Sequence, residues 1–185
     1  MRVLVVALLG LCFCGSAAAD TWQEYVYGDY GFAVSFPQAP TVESGSFQLP
    51  GGPNVPARIY SVTQPDGDYR VMIADFTNRP ESSNTIIDDA ETLLKQHGDV
   101  KIELPARVQA VFGRQLSLNQ RDGSHISAAL FVYQHRLYQI TGTAMPAAAL
   151  AGSSDAIRFQ QSLRFTGNTA GFFGLNFLFG ALRQL

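Results

Sequence analysis

Residues 30–40 read YGFAVSFPQAP, and the abrupt end of this stretch decides how the rest of the chain is read. Side chains alternate across a β-strand, so Phe32, Val34 and Phe36 share one face while Ala33 and Ser35 occupy the other. Pro37 and Pro40 then remove two backbone donors, and the ladder cannot continue as a central strand. The stretch is a strand with an apolar face that ends in a corner. Upstream, residues 25–28 read as a partner strand. Gly28-Asp29-Tyr30-Gly31 between them suits a hairpin turn, because Gly and Asp accept positive φ.

Downstream, residues 45–56 contain LPGGPNVP and read as a loop. Strands follow at 58–64 and 69–76, joined by a turn at Pro65-Asp66-Gly67-Asp68. The period then changes. In residues 80–97, Ile86, Ile87, Ala90, Leu93 and Leu94 fall on one helical face, with Asp88, Asp89 and Glu91 pointing away from it. Ser82 or Ser83 caps the start and Gly98 suits the end. Four strands are expected next, at 100–108, 113–119, 124–133 and 137–143. Their short connections indicate an antiparallel meander, and Pro105 argues for a bulge or an edge. Residues 146–163 read as a second helix with Leu150, Ile157, Phe159 and Leu163 inward. Gly152-Ser153-Ser154-Asp155 is a place where that helix breaks or restarts.

The order strands, helix, strands, helix, without an internal repeat, predicts an α+β fold: one antiparallel β-sheet flanked by helices. The folded core is expected to end near Phe165. Leu93 and Phe159 are expected on the sheet-facing sides of the helices, where truncating either to alanine costs about 2 to 5 kcal/mol if it is fully buried.

These pieces resemble the PsbP-like fold family. The resemblance is carried by YGFAVSFPQAP at the start, RLYQITGTA in the meander and DAIRFQQSLRF at the close, and it spans residues 25–165. It implies an α/β/α sandwich around an antiparallel sheet. Phe32 and Phe36 then look like core anchors, and the FPxxP exit like a corner of the fold rather than a ligand motif. Family members are typically non-enzymatic binding, assembly or stabilising modules. The plant members' role in the oxygen-evolving photosystem is not carried over, because no thylakoid-type targeting segment is present here.

The first nineteen residues read as a secretory signal: Arg2, an apolar run through Gly15, then Ala17-Ala18-Ala19 before a cut ahead of Asp20. The run is shorter than the ~20 residues that span a bilayer. Cys12 and Cys14 both lie inside it, preceded by Leu11 and Phe13 where lipid attachment wants a small residue. The mature chain is then expected to hold no cysteine, hence no disulfide, thiolate metal site or cysteine nucleophile. The expected organisation is a signal peptide at 1–19, a single domain at 20–166 and an apolar C-terminal tail at 167–185. The chain is expected to be exported, periplasmic or secreted.

Of 185 residues, 46% are hydrophobic and 15% charged, with a formal charge of −2. That is enough apolar material for a core and too little charge for a disordered chain. Lys95 and Lys101 are the only lysines, and no basic run exists to track nucleic-acid phosphates.

Candidate chemistry is sparse. His97, His125 and His135 read as surface histidines rather than convergent metal ligands. His125 and His135 stand about ten residues apart on one strand, too far to hold one ion. Asp66 and Asp68 flank Gly67 in a tight turn, without the further oxygens a calcium loop needs. The serine-hydrolase elbow G-x-S-x-G is absent, as are phosphate loops and dinucleotide fingerprints. Two Arg-Phe pairs, Arg158-Phe159 and Arg164-Phe165, read as inward phenylalanines bordered by arginines. No catalytic residue, cofactor or metal is expected. The expected function is a non-catalytic binding, assembly or envelope-stability module. The alternative is a small periplasmic hydrolase or ligand-binding enzyme with a non-local site.

The last segment, 171–185, reads GFFGLNFLFGALRQL. Phe172, Phe173, Leu175, Phe177, Leu178, Phe179 and Leu182 crowd together behind a polar spacer, Thr166-Gly167-Asn168-Thr169. The segment is too short to span a bilayer as a helix. Leaving it in water costs about 25 cal/mol per Å², so cover is expected from the chain's own sheet, from a partner or second copy, or from peripheral membrane contact. The tail is expected to hold whatever interaction the protein has.

Overall fold

The computed structural model describes residues 22–148 and 152–167. The expected signal peptide, Leu150 and the apolar tail lie outside the described residues.

Residues Phe32–Phe36 form β2, paired antiparallel with β1 (Gln23–Tyr27) through a single 3-10 turn closed by Gly31, whose φ is 65. Phe32, Val34 and Phe36 are fully buried. The prolines end β2 because the chain changes layer there. β1 and β2 belong to a three-stranded sheet, and the next strand, β3 (Thr41–Phe47), already belongs to a seven-stranded one. The expectation of one sheet is therefore corrected to two.

The larger sheet is antiparallel throughout, in the order β3-β4-β5-β9-β8-β7-β6. Its remaining strands are β4 (Val55–Gln64), β5 (Gly67–Asp75), β6 (Asp99–Val108), β7 (Val111–Asn119), β8 (His125–Tyr133) and β9 (Arg136–Ala144). The loop expected at 45–56 is shorter, because β3 reaches Phe47 and β4 starts at Val55. β3 is an edge strand whose residues, Phe47 excepted, are mostly exposed, so it lacks the apolar alternation that marks a strand. Pro56 is tolerated in β4 because pairing with β5 starts only at Ala57↔Ala74. β6 is the other edge. Pro105 sits in it as an edge residue, and the register slips between Val100 and Ile102, at Lys101 rather than at the proline.

Helix α1 (Ser83–Lys95) covers one face of this sheet, packing on β7, β8 and β9. Ser82 caps it, its hydroxyl accepting from the Thr85 amide at 3.2 Å. Ile86, Ile87, Ala90 and Leu94 are buried against Met72, Leu116, Ile126 and Leu130. Leu93 is only partly buried, against expectation, while Leu94 is buried as expected. Gly98 does not end the helix by a left-handed turn. Its need for hydrogen is a close pass, since a Cβ there would lie 2.4 Å from the Asn119 carbonyl oxygen.

Glu91, expected to point outward, is 7% exposed. It lies one turn from Ile87, and its carboxylate meets Lys95 and, at 3.4 Å, Arg114. Lys95 also reaches Glu103 at 2.7 Å, and Arg114 reaches Glu103 at 3.2 Å. These groups clamp α1 to β6 and β7. The Lys95 hydrogen bond leads the effects that hold the Glu103 carboxyl below its ordinary 4.5. A carboxyl with a depressed folded value binds protons more readily when unfolded, so its contribution is present above 4.5 and fades as pH falls through the folded value. The urea midpoint is expected to drop between about pH 5 and pH 3, and Glu103→Gln to flatten part of that slope. An unchanged slope in the variant would remove the clamp from the account.

The opposite face carries the three-stranded sheet and helix α2 (Gly152–Gln161), which lies across β9, β8 and β5. A short 3-10 turn at Pro146–Ala148 precedes it, so the second helix expected at 146–163 is corrected to one described from Gly152, inside the stretch where a break or restart is expected. Starting at Gly152, the helix turns Ala156, Phe159 and Gln160 inward and leaves Ile157 41% exposed, against expectation. Strand β10 (Arg164–Phe165) then pairs with β2 and completes the small sheet in the order β1-β2-β10. The core on this side joins Phe32, Val34 and Phe36 to Tyr69, Val71, Tyr138, Ile140, Phe159, Leu163 and Phe165. Burial pushes the Tyr138 hydroxyl up to about 12, and it donates to the Tyr30 carbonyl at 2.6 Å.

Candidate functional site

The residues nominated from sequence are not brought together. His97 is exposed beyond α1. His125 starts β8, with Nδ1 2.8 Å from the Asn119 amide oxygen and Nε2 3.2 Å from the Ser117 hydroxyl. His135 lies at the other end of β8, in a two-residue turn where Gln134 and His135 both have positive φ (50° and 59°), the geometry that matches strand twist. Among the described residues, no three of His, Cys, Asp and Glu gather as a metal site. Phe159 and Phe165 are buried as expected. Their arginines are used locally: Arg158 lies 4.8 Å over the Trp22 ring, and Arg164 forks onto Glu24 at 2.5 and 2.6 Å. The seven apolar tail residues, Phe172 to Leu182, lie outside the described residues.

Two surfaces emerge instead. The first is a basin of about 350 Å³ on the α1 side of the sheet. Ser61, Thr63, Thr141 and Thr143 give it a hydroxyl floor, and Glu43, Asp68 and Arg70 give it charge of both signs. Alternation in β4, β5 and β9 puts these polar groups on the face opposite Tyr60, Val62, Tyr69 and Ile140. Asp68 was expected to be a solvated turn residue. It belongs to β5, and its buried Oδ1 has no hydrogen-bond partner among the described residues.

The second surface is the face of β6 and β7 on the α2 side. Pairing of Leu104 with Gln115 and of Ile102 with Ser117 places these four on the face shared with Ala129 and Phe131. α2 and the small sheet cover that face over β4, β5, β9 and β8. β10 rests on β8 and β9, with Phe165 5.1 Å from Tyr138 and 6.1 Å from Phe131 between ring centres. Beyond it no described residue covers the strip, and Ile102 and Leu104 stay 48% and 53% exposed. Phe112, 71% exposed, faces the other way, where Arg107 stacks on it at 5.3 Å. The I-E-L alternation puts Ile102 and Leu104 on one face, whereas the slip at Lys101 turns Val100 to the other; the pattern carries no information on whether another layer covers them.

No family model matches the chain, and no curated protein matches it. Solved structures do. A solution structure of cyanobacterial PsbP from Synechocystis superposes with a TM-score of 0.54 at 12% identity, covering 84% of this chain and 98% of the other. A Pseudomonas aeruginosa protein of unknown function gives a TM-score of 0.38 at 12% identity, over 72% of this chain and 90% of its own.

Proposed function

Taking as premise that the chain has the PsbP-like fold, here arranged as an α/β/α sandwich, we propose that it is an exported, non-catalytic binding or assembly module. Residues 1–19 are its signal peptide, 20–166 its one domain, and its partner is another protein of the envelope. The observation that carries this reading is the bare strip of Ile102 and Leu104. Fully burying such a side chain is worth about 1.5 to 3 kcal/mol, and half of that remains available at each position. Docking is by the face rather than by strand addition. Pro105 and the irregularity at Lys101 interrupt the β6 edge, two devices that keep other strands from pairing there.

A photo-crosslinker at residue 102, in cells at native abundance, is expected to capture one defined partner, and Leu104→Asp to abolish the product. Val26→Asp, a change at an equally exposed apolar position in β1, is expected to leave it intact. Recovery only as a lone monomer with every probe defeats the proposal.

A second reading, a ligand-binding or hydrolytic protein, is favoured by the unpartnered Asp68 oxygen in the polar basin. That oxygen asks for a donor, so the ligand would carry a hydroxyl or an ammonium group. A thermal-shift screen of polyols and amines that finds a stabiliser lost in Asp68→Ala would move the assignment there.

A further inference from the structure

We propose that residues 171–185 of the same chain cover the bare β6–β7 face, extending the outer layer past β10. The inference rests on reading that face as a docking surface, and it names what occupies the face before any partner does.

The place where the described chain ends is the first argument. The Phe165 carbonyl accepts from the side-chain amide of Gln109 at 2.9 Å, and Gln109 sits in the turn joining β6 to β7. The Thr166 amide donates to the Gly31 carbonyl at 2.9 Å. The chain thus departs from the turn end of the two strands whose face is bare. It departs on the same side of the sheet, since Phe165 packs on Phe131. Among the described residues, β10 is also the last strand of its sheet, paired with β2 alone. The layer it belongs to stops where the bare strip starts.

Length is the second argument. From Val108 back to Ile102 is about 20 Å of strand. Residues 168–170 reach about 10 Å. Residues 171–185 then supply about 22 Å as a helix or about 50 Å as a strand, so either conformation spans the strip.

Chemistry is the third. Phe172, Phe173, Leu175, Phe177, Leu178, Phe179 and Leu182 match Ile102 and Leu104, whereas the basin on the other face has a hydroxyl floor. Reaching Phe112 would require wrapping around the β6 edge. A segment tethered by so short a spacer experiences an effective concentration in the millimolar range, so its own face is taken before that of a second copy. The two apolar surfaces shield one another, and a partner that opens the pair gains both.

Hydroxyl-radical footprinting of the purified full-length chain, read by mass spectrometry and normalised for intrinsic reactivity, tests this without any partner present. Val26 is the open reference and Phe159 the buried one. Ile102 and Leu104 are expected to label several-fold more slowly than Val26, and to rise to its level in full-length Phe177→Ser/Phe179→Ser. Phe112 is expected to label equally in both, and an unlabelled Phe159 shows that the variant is folded. Should that variant fail to fold, Leu104→Asp is expected to raise labelling at Phe177 and Phe179 instead. Open-level labelling of Leu104 in the unaltered chain overturns the proposal. So does protection that grows with protein concentration, which assigns the face to a second copy. Protection seen only with phosphatidylethanolamine–phosphatidylglycerol vesicles assigns it to a membrane and also overturns the proposal. A failed crosslink in cells bears on the partner alone and leaves this result standing.

Discussion

Phe159→Ala is expected to lower the stability of the fold by about 3 to 5 kcal/mol, read as a fall in the denaturant midpoint. Phe159 is fully buried, and rings from both sheets and from the residue before β1 meet on it. Phe36 of the small sheet lies 4.9 Å away between ring centres, Tyr69 of the large sheet 5.4 Å and Trp22 6.4 Å. Removing the ring leaves a cavity that none of them fills without moving a backbone, and aromatic pairs add to the loss beyond area. Folded chains of this size hold only about 5 to 15 kcal/mol in total, so the variant sits near the edge of folding. A midpoint unchanged by the substitution would mean that α2 does not rest on the sheet.

The second large effect is expected at Gly142 in β9. A Cβ there would lie 2.6 Å from the Ala156 carbonyl oxygen and 2.7 Å from its Cα. These are helix backbone atoms that cannot swing aside. Gly142→Ala is expected to cost about 1 to 3 kcal/mol, and Gly142→Val to exceed that range, because overpacking here displaces a whole helix. Trp22 is the single tryptophan of the chain and packs beside Phe159 and under Arg158. Its emission should therefore shift toward that of exposed indole as α2 lifts. Gly28→Ala, where an added Cβ meets nothing within 4 Å, is the matched control and should leave both stability and emission unchanged. Equal behaviour of the two variants would refute the close seating of α2 on β9.

Local signals carried far in this sequence. The period of Ile86, Ile87, Ala90 and Leu94, with Ser82 before it, placed α1 within a residue or two. The alternation and short turns after Gly98 placed β6 to β9. What they did not carry was the phase of weakly patterned elements. β3 is polar along most of its length because one side of an edge strand faces solvent. Ile157 is apolar yet exposed, because two positions along a helix lie about 200° apart and Phe159 takes the inward side. Glu91 reads as a surface charge until Arg114, from a strand distant in sequence, arrives beside it. The same limit hid both candidate surfaces. The basin needs three strands side by side before its hydroxyls converge. The bare strip of β6 looks the same in sequence as a covered one, because cover is a property of the neighbouring layer.

The small sheet is built from both ends of the described chain. Phe32 pairs with Phe165, and the Ser35 amide donates to the Ser162 hydroxyl 127 residues away in sequence. The meander from β6 to β9 closes only short loops, whereas this sheet closes almost the longest loop the fold contains, and such contacts form late. A chain emerging N-terminus first presents Phe32, Val34 and Phe36 long before Phe159 and Phe165 exist to cover them. Under the proposed export, this ordering keeps the polypeptide from locking into its native form until nearly all of it has crossed. It also leaves an apolar strand uncovered in the meantime.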